Sequence, residues 1–118
     1  MTYLSNFQIN ALGIDHNVFF IKDHNKITKM CAGNIVMVKA NSNYSEIYLT
    51  DGKRMLTSKT LLHWERKMRG NPDIIRIHRS YLVNRRQIIN ISLSKSEVLL
   101  TCEIKALFSR RCRAKIKF

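Results

Sequence analysis

Only one stretch of this 118-residue chain spaces its apolar residues as a helix does, and that limits the available folds more than any other feature. Leu61, Trp64 and Met68 fall at i, i+3 and i+7, while Lys59, Arg66 and Lys67 take the wetter sides. Thr57 or Ser58 is the expected N-cap, Gly70 stands where a C-terminal cap belongs, and Pro72 blocks continuation. Trp64 on this stripe reads as core, not as a platform for stacking bases. A helix-turn-helix needs two or three such periods, so a recognition helix seated in a groove is not on offer.

The rest of the chain alternates short β-prone runs with turn residues. Strands are expected over 18–21, 26–30, 34–40, 46–50, 53–57, 74–77, 81–83, 88–93, 97–101 and 105–108. Ile47 and Leu49 alternate with Glu46, Tyr48 and Thr50, the period of a half-buried strand. Asp51-Gly52 follows and favours the left-handed conformations of a type I′ turn, so Lys53 to Thr57 is expected to return antiparallel. Ile89, Ile91 and Leu93 form a second alternating set. Residues 1–16 are weakly patterned and read as a lead-in or linker, which leaves 17–118 as one domain. The fold class is therefore mostly β, with short antiparallel strands and one helix.

Charge narrows the partners. Twenty-one Lys and Arg against eight Asp and Glu give +13, far more than solubility needs. The excess rises along the chain and ends in Arg110, Arg111, Arg113, Lys115 and Lys117. Such a surface repels itself unless a polyanion sits on it, and nucleic acid is the commonest, an anionic membrane surface the second. No apolar run approaches the roughly 20 residues of a membrane span. No cationic start leads into an apolar block, so a cytoplasmic location is expected, with no membrane partner.

Catalytic and metal chemistry lack their constellations. The eight acids are dispersed, and His16, His24, His63 and His78 lie far apart. Cys31, Cys102 and Cys112 form no metal-ligand spacing and no disulfide framework, and read as reduced thiols packed as small hydrophobes. No enzyme activity, cofactor or metal is expected.

The segment Arg76-Ile77-His78-Arg79-Ser80-Tyr81-Leu82-Val83-Asn84-Arg85 sets arginines between apolar anchors. A guanidinium on a rigid strand end grips phosphate or pairs with the major-groove edge of guanine. Composition alone leaves a basic solvated face equally open. R-I-H-R-S-Y-L-V-N, with N-S-N-Y-S-E-I-Y-L-x-D-G-K upstream, a T-L-x-x-x-E helix between them and S-R-R downstream, resembles the LytTR family of bacterial DNA-binding domains. The resemblance runs from about Val18 to Lys117 and rests on several ordered motifs at matching spacing.

The resemblance implies an elongated stack of small antiparallel sheets with one short helix. It implies loops that enter successive major grooves of double-stranded DNA, regulation of transcription at paired direct repeats, and a second copy on the DNA. By position, the first reading loop holds Asn43 and Tyr44, the second His78, Arg79 and Ser80, and the third Arg110 and Arg111, with Arg113 nearby. Lys59 and Arg85 are the implied phosphate contacts. The arginines of the second and third loops are expected to read base edges, and the lysines to supply uniform attraction.

Two departures stand out. Ser42 occupies a position where family members commonly carry glycine before the Asn-Tyr pair. Many members also carry an N-terminal phosphate-receiving domain, for which this chain has no room. A stand-alone regulator and a C-terminal piece with a receiver or sensor partner both remain open. The alternative to a sequence-specific regulator is a general nucleic-acid module binding RNA or single strands, which would interleave aromatics with basic residues on a sheet face.

Overall fold

A computed structural model describes residues 18–116, and the lead-in expected over 1–16 lies outside them. Ten strands follow in order: β1 Val18–Asp23, β2 Lys26–Cys31, β3 Ile35–Asn41, β4 Tyr44–Leu49, β5 Arg54–Thr57, β6 Ile74–His78, β7 Tyr81–Asn84, β8 Ile88–Ser92, β9 Glu97–Leu100 and β10 Ile104–Leu107. Helix α1, Leu61–Lys67, sits between β5 and β6, and a four-residue helix α2, Arg113–Ile116, closes the described chain. The strands form three antiparallel sheets: β1-β2, the central β5-β4-β3-β7-β6, and β10-β9-β8. The molecule measures 46 × 31 × 25 Å, longer than broad.

The central sheet is covered on both faces, which explains the unbroken apolar run of β3. Ile35, Val38, Ile47 and Leu82 pack on one side with Phe19, Ile21 and Met30 of the β1-β2 hairpin and with Leu61, Trp64 and Met68 of α1. Val36, Met37, Ile77 and Val83 pack on the other with Val98, Leu100, Ala106, Phe108 and Ile116. Each buried Val, Leu, Ile, Met or Phe among them contributes about 1.5–3 kcal/mol by leaving water. The helical stripe is core as expected, with Trp64 only 2% exposed.

Local chemistry differs from expectation at five places. The cap of α1 is Thr60, whose hydroxyl accepts from the His63 N–H at 3.3 Å, because the Thr57 hydroxyl is engaged in the core. The helix ends at Lys67 with Met68 as its C-cap, short of Gly70. The β4-β5 turn is not type I′. Gly52 alone is left-handed there, at φ +88, and Leu49 C=O accepts from Gly52 N–H while Leu49 N–H donates to Lys53 C=O. That is a three-residue loop closed by a bulged glycine, pinned by the Asp51 carboxylate on the Lys53 N–H at 2.9 Å.

In β8 the register slips between Ile88 and Asn90, so Ile88 and Ile91 face the core while Ile89 is 60% and Leu93 49% exposed. The alternation of Ile89, Ile91 and Leu93 expected from the sequence is broken by this bulge. Among the cysteines, Cys112 is buried, but Cys31 and Cys102 are exposed rather than packed.

Candidate nucleic-acid interface

Antiparallel pairing brings most of the expected loops to one end of the central sheet. The β3-β4 turn, Ser42-Asn43, follows Asn41, whose partner is Tyr44. Strand β3 also pairs with β7, Lys39 opposite Tyr81, and the Ala40 N–H donates to the Ser80 carbonyl at 2.9 Å. The two-residue turn Arg79-Ser80 joins β6 to β7, so it lies beside the first loop. Ser45 pairs with Thr57 and donates from its hydroxyl to the Lys59 carbonyl at 2.6 Å, which draws Lys59 to the same end. The third loop joins them through the Ser109 N–H, which donates to the Ile77 carbonyl at 2.8 Å.

Each loop is held by its own chemistry. Ser42 takes φ +55, a left-handed conformation that costs a residue with a Cβ about 1–2 kcal/mol. This is the position at which the resemblance leads one to expect glycine. Asn43 and Tyr44 are exposed, and Tyr44 lines a groove with Lys22, Asp23, His24, Leu56 and Ser58.

The second loop is braced from beneath. Arg76 donates from Nε to the His78 carbonyl at 2.8 Å and from Nη2 to the Arg79 carbonyl at 2.6 Å, while its Nη1 meets Glu65 Oε1 at 2.6 Å. The Ser80 N–H donates to His78 Nδ1 at 3.1 Å, and the His78 ring tilts against Tyr81 with centroids 5.4 Å apart. His78 therefore orients the turn from the end of β6. The third loop is a single 3-10 turn, Arg110–Cys112, with the Ser109 hydroxyl accepting from the Cys112 N–H at 3.2 Å. Buried Phe108, Cys112 and Ile116 anchor it on both flanks.

Charge sorts the arginines into two groups. Arg54, Arg76, Arg85 and Arg86 are paired with Glu46, Glu65 and Asp73. The side chains of Arg79, Arg110 and Arg111 are exposed and meet no hydrogen-bond or ion partner among the described residues. These three share one groove with Arg76, His78, Ser109 and Cys112. Asp51, Asp73 and Glu103 lie toward the other end of the sheet, in the β4-β5 turn, beside Asn84, and next to Cys102, whose thiol approaches the Thr50 carbonyl. Three arginines without a partner among the described residues thus stand together at the loop end.

Arg85 is not part of this gathering. It follows β7 at the opposite end, where its N–H donates to the Asp73 carbonyl at 2.7 Å and its guanidinium reaches Asp73 Oδ1 at 3.4 Å. Asp73 carries Arg86 as well, and the hydrogen bond from Arg86 is the main cause that holds its carboxyl below the usual aspartate range. Arg113 lies on α2 directly after the third loop and is exposed. Sequence reasoning did not single out Lys22 and His24, because only the packing of the β1-β2 hairpin beside β5 brings them to Tyr44. The sequence leaves the role of Arg76 open between gripping nucleic acid and facing solvent, whereas its side chain turns under the second loop onto the His78 and Arg79 carbonyls.

Among the described residues no group of three or more His, Cys, Asp or Glu is placed to hold a metal ion, and no helix is long and apolar enough to cross a membrane. The family model described as the LytTr DNA-binding domain matches residues 25–118. A solved structure with a similar fold is the domain described as the LytTr DNA-binding domain of a methyl-accepting/DNA response regulator from Bacillus cereus. It superposes with a TM-score of 0.70 at 16% identity, over 86% of this chain and 98% of that one. No curated protein matches the sequence.

Proposed function

This chain belongs to the LytTr DNA-binding domain family, and from that premise we propose that it is a sequence-specific regulator that reads double-stranded DNA with three loops set at one end of its central sheet. The family is one of DNA-binding domains serving transcription regulation and is not a catalytic one. The observation that carries the finer reading is the gathering of Arg79, Arg110 and Arg111, unpaired, in one groove beside the turn that bears Asn43 and Tyr44. Cations left without internal partners on well-packed turns lose little on meeting phosphate, and a guanidinium so held can also pair bidentately with guanine.

Within this reading Arg79, Arg110 and Arg111 approach base edges. Asn43, Tyr44, Ser80, Lys59 and Arg113 border the same surface, and His78 fixes the second loop. Arg85, tied to Asp73 at the far end, lies away from the duplex. A single-strand reading has less support. Trp64 is buried, the Tyr48 hydroxyl is spent on Glu46 at 2.7 Å, and Tyr81 lies half-buried against His78. Phe20 and Tyr44 are exposed but stand on different sheets, so among the described residues no row of free aromatics crosses one sheet face. Binding at paired direct repeats by two copies, with input from a receiver or sensor module, completes the proposal; the response-regulator description of the Bacillus cereus domain accords with that input.

Selection from random duplexes tests it. The expected product is a motif with two half-sites about one helical turn apart. Recovery of no motif, or stronger retention of single-stranded RNA, would overturn the reading.

A further inference from the structure

Each of the three nitrogens of the Arg76 guanidinium has a partner within the protein: Nε the His78 carbonyl, Nη2 the Arg79 carbonyl and Nη1 Glu65. Its side chain is only 24% exposed, and Glu65 projects from α1, eleven residues earlier. A planar fork that holds two consecutive carbonyls fixes the peptide between them, and that peptide carries the Arg79 side chain. From this we infer that Arg76 is a positioning residue. Anchored by Glu65, it sets the direction of Arg79, and so it governs discrimination between DNA sequences rather than attraction to DNA in general.

The inference rests on the DNA-reading role proposed above: Arg76 borders the groove of Arg79, Arg110 and Arg111, but its Nε and Nη2 are turned onto the loop's own carbonyls. Lysine cannot replace the fork, because a single ammonium presents a point charge and cannot span both carbonyls and Glu65 with one planar geometry. Glu65 supplies the sharper test. Removing an acid from a protein that binds a polyanion ordinarily tightens the complex. Here its loss releases Arg76, and the bond to the selected sequence is expected to loosen instead.

The experiment compares the full chain with Arg76→Lys, Arg76→Gln and Glu65→Gln. Each is titrated against the duplex recovered by selection and against a scrambled duplex, with fluorescence anisotropy read over a salt series. Circular dichroism melts accompany each variant. The preference for the selected duplex is expected to fall about tenfold to a hundredfold in Arg76→Lys, the effect of losing a charged hydrogen bond. It is expected to fall by a smaller factor of about threefold to tenfold in Glu65→Gln, whose amide oxygen still accepts from Arg76 but without the charge. The salt slope of Arg76→Gln is expected to match that of the natural chain.

A slope smaller by about 1 in Arg76→Gln would make Arg76 a phosphate contact and overturn the inference. So would a Glu65→Gln variant that binds the selected duplex as tightly as, or more tightly than, the natural chain. Glu65→Gln keeps the shape of its side chain at a half-exposed site, so the test stands if the Arg76 variants do not fold. A natural chain that prefers no duplex would instead overturn the DNA-reading role itself.

Discussion

Trp64 donates its indole N–H to the hydroxyl of Thr57 at 3.0 Å, inside a core where both residues are 2% exposed. The same hydroxyl lies 3.0 Å from the Ser45 hydroxyl, and Ser45 donates onward to the Lys59 carbonyl. This chain of bonds ties α1 and two strands of the central sheet to the start of the Lys59 segment. Thr57→Val keeps the shape and removes the hub. It is expected to destabilise the fold by about 1–3 kcal/mol per group left unsatisfied, read from denaturant unfolding. A loss under about 0.5 kcal/mol would show that the network is dispensable.

Ser42 gives a prediction in the opposite direction. Its φ of +55 is strained for serine and free for glycine. Ser42→Gly is expected to stabilise the chain by about 0.5–1 kcal/mol, the relief being offset in part by the freer unfolded chain. A lower melting temperature in Ser42→Gly would mean that the serine side chain supplies a compensating contact.

Much of the fold is legible in the residues themselves. The Leu61-Trp64-Met68 stripe, the buried run of β3 and the alternation of Ile47 with Leu49 each settle a local question from local chemistry. What escapes is set by distant partners. The bulge that turns Ile89 outward arises in the pairing of β8 with β9, and Thr60 caps α1 because Thr57 is spent on Trp64. In the site, the arginines of the second and third loops can be named from their motifs. No pattern distinguishes Arg76, folded under its turn, from Arg79, pointing out of it, because the difference depends on Glu65 from another element.

Stability is expected to respond to pH in two windows. Burial, with Lys59 and Lys67 nearby, pushes His63 below its ordinary 6.5, so the unfolded chain takes up a proton more readily than the folded one. That contribution is complete above about pH 6.5 and is lost as the pH falls through the lower, folded value. Glu46 is lowered from 4.5, chiefly by the Tyr48 hydroxyl, and Asp73 from 3.8, chiefly by Arg86. Their support is present above those values and fades below them. Melting temperatures from pH 8 to pH 3 should fall in both ranges, and His63→Gln should flatten the first. An unchanged upper limb in His63→Gln would contradict this assignment.

Binding to duplex DNA is expected to weaken steeply with salt. Neutralising about six phosphates gives a slope of log K against log salt near −5. Arg79→Ala with Arg111→Ala should cost the selected duplex at least about tenfold to a hundredfold in affinity, whereas Arg85→Ala should cost little. Equal losses from Arg85→Ala would move the interface toward the Asp73 end of the sheet.

The central claim is that one end of the central sheet meets the double helix. Backbone amide NMR of the full chain, titrated with the selected duplex, tests it residue by residue. Shifts are expected at 42–44, 58–60, 78–80 and 109–113, with Asp51, Arg85 and Cys102 unmoved. Shifts concentrated at Asp51, Arg85 and Cys102, with the Arg79 and Arg111 amides still, would contradict it.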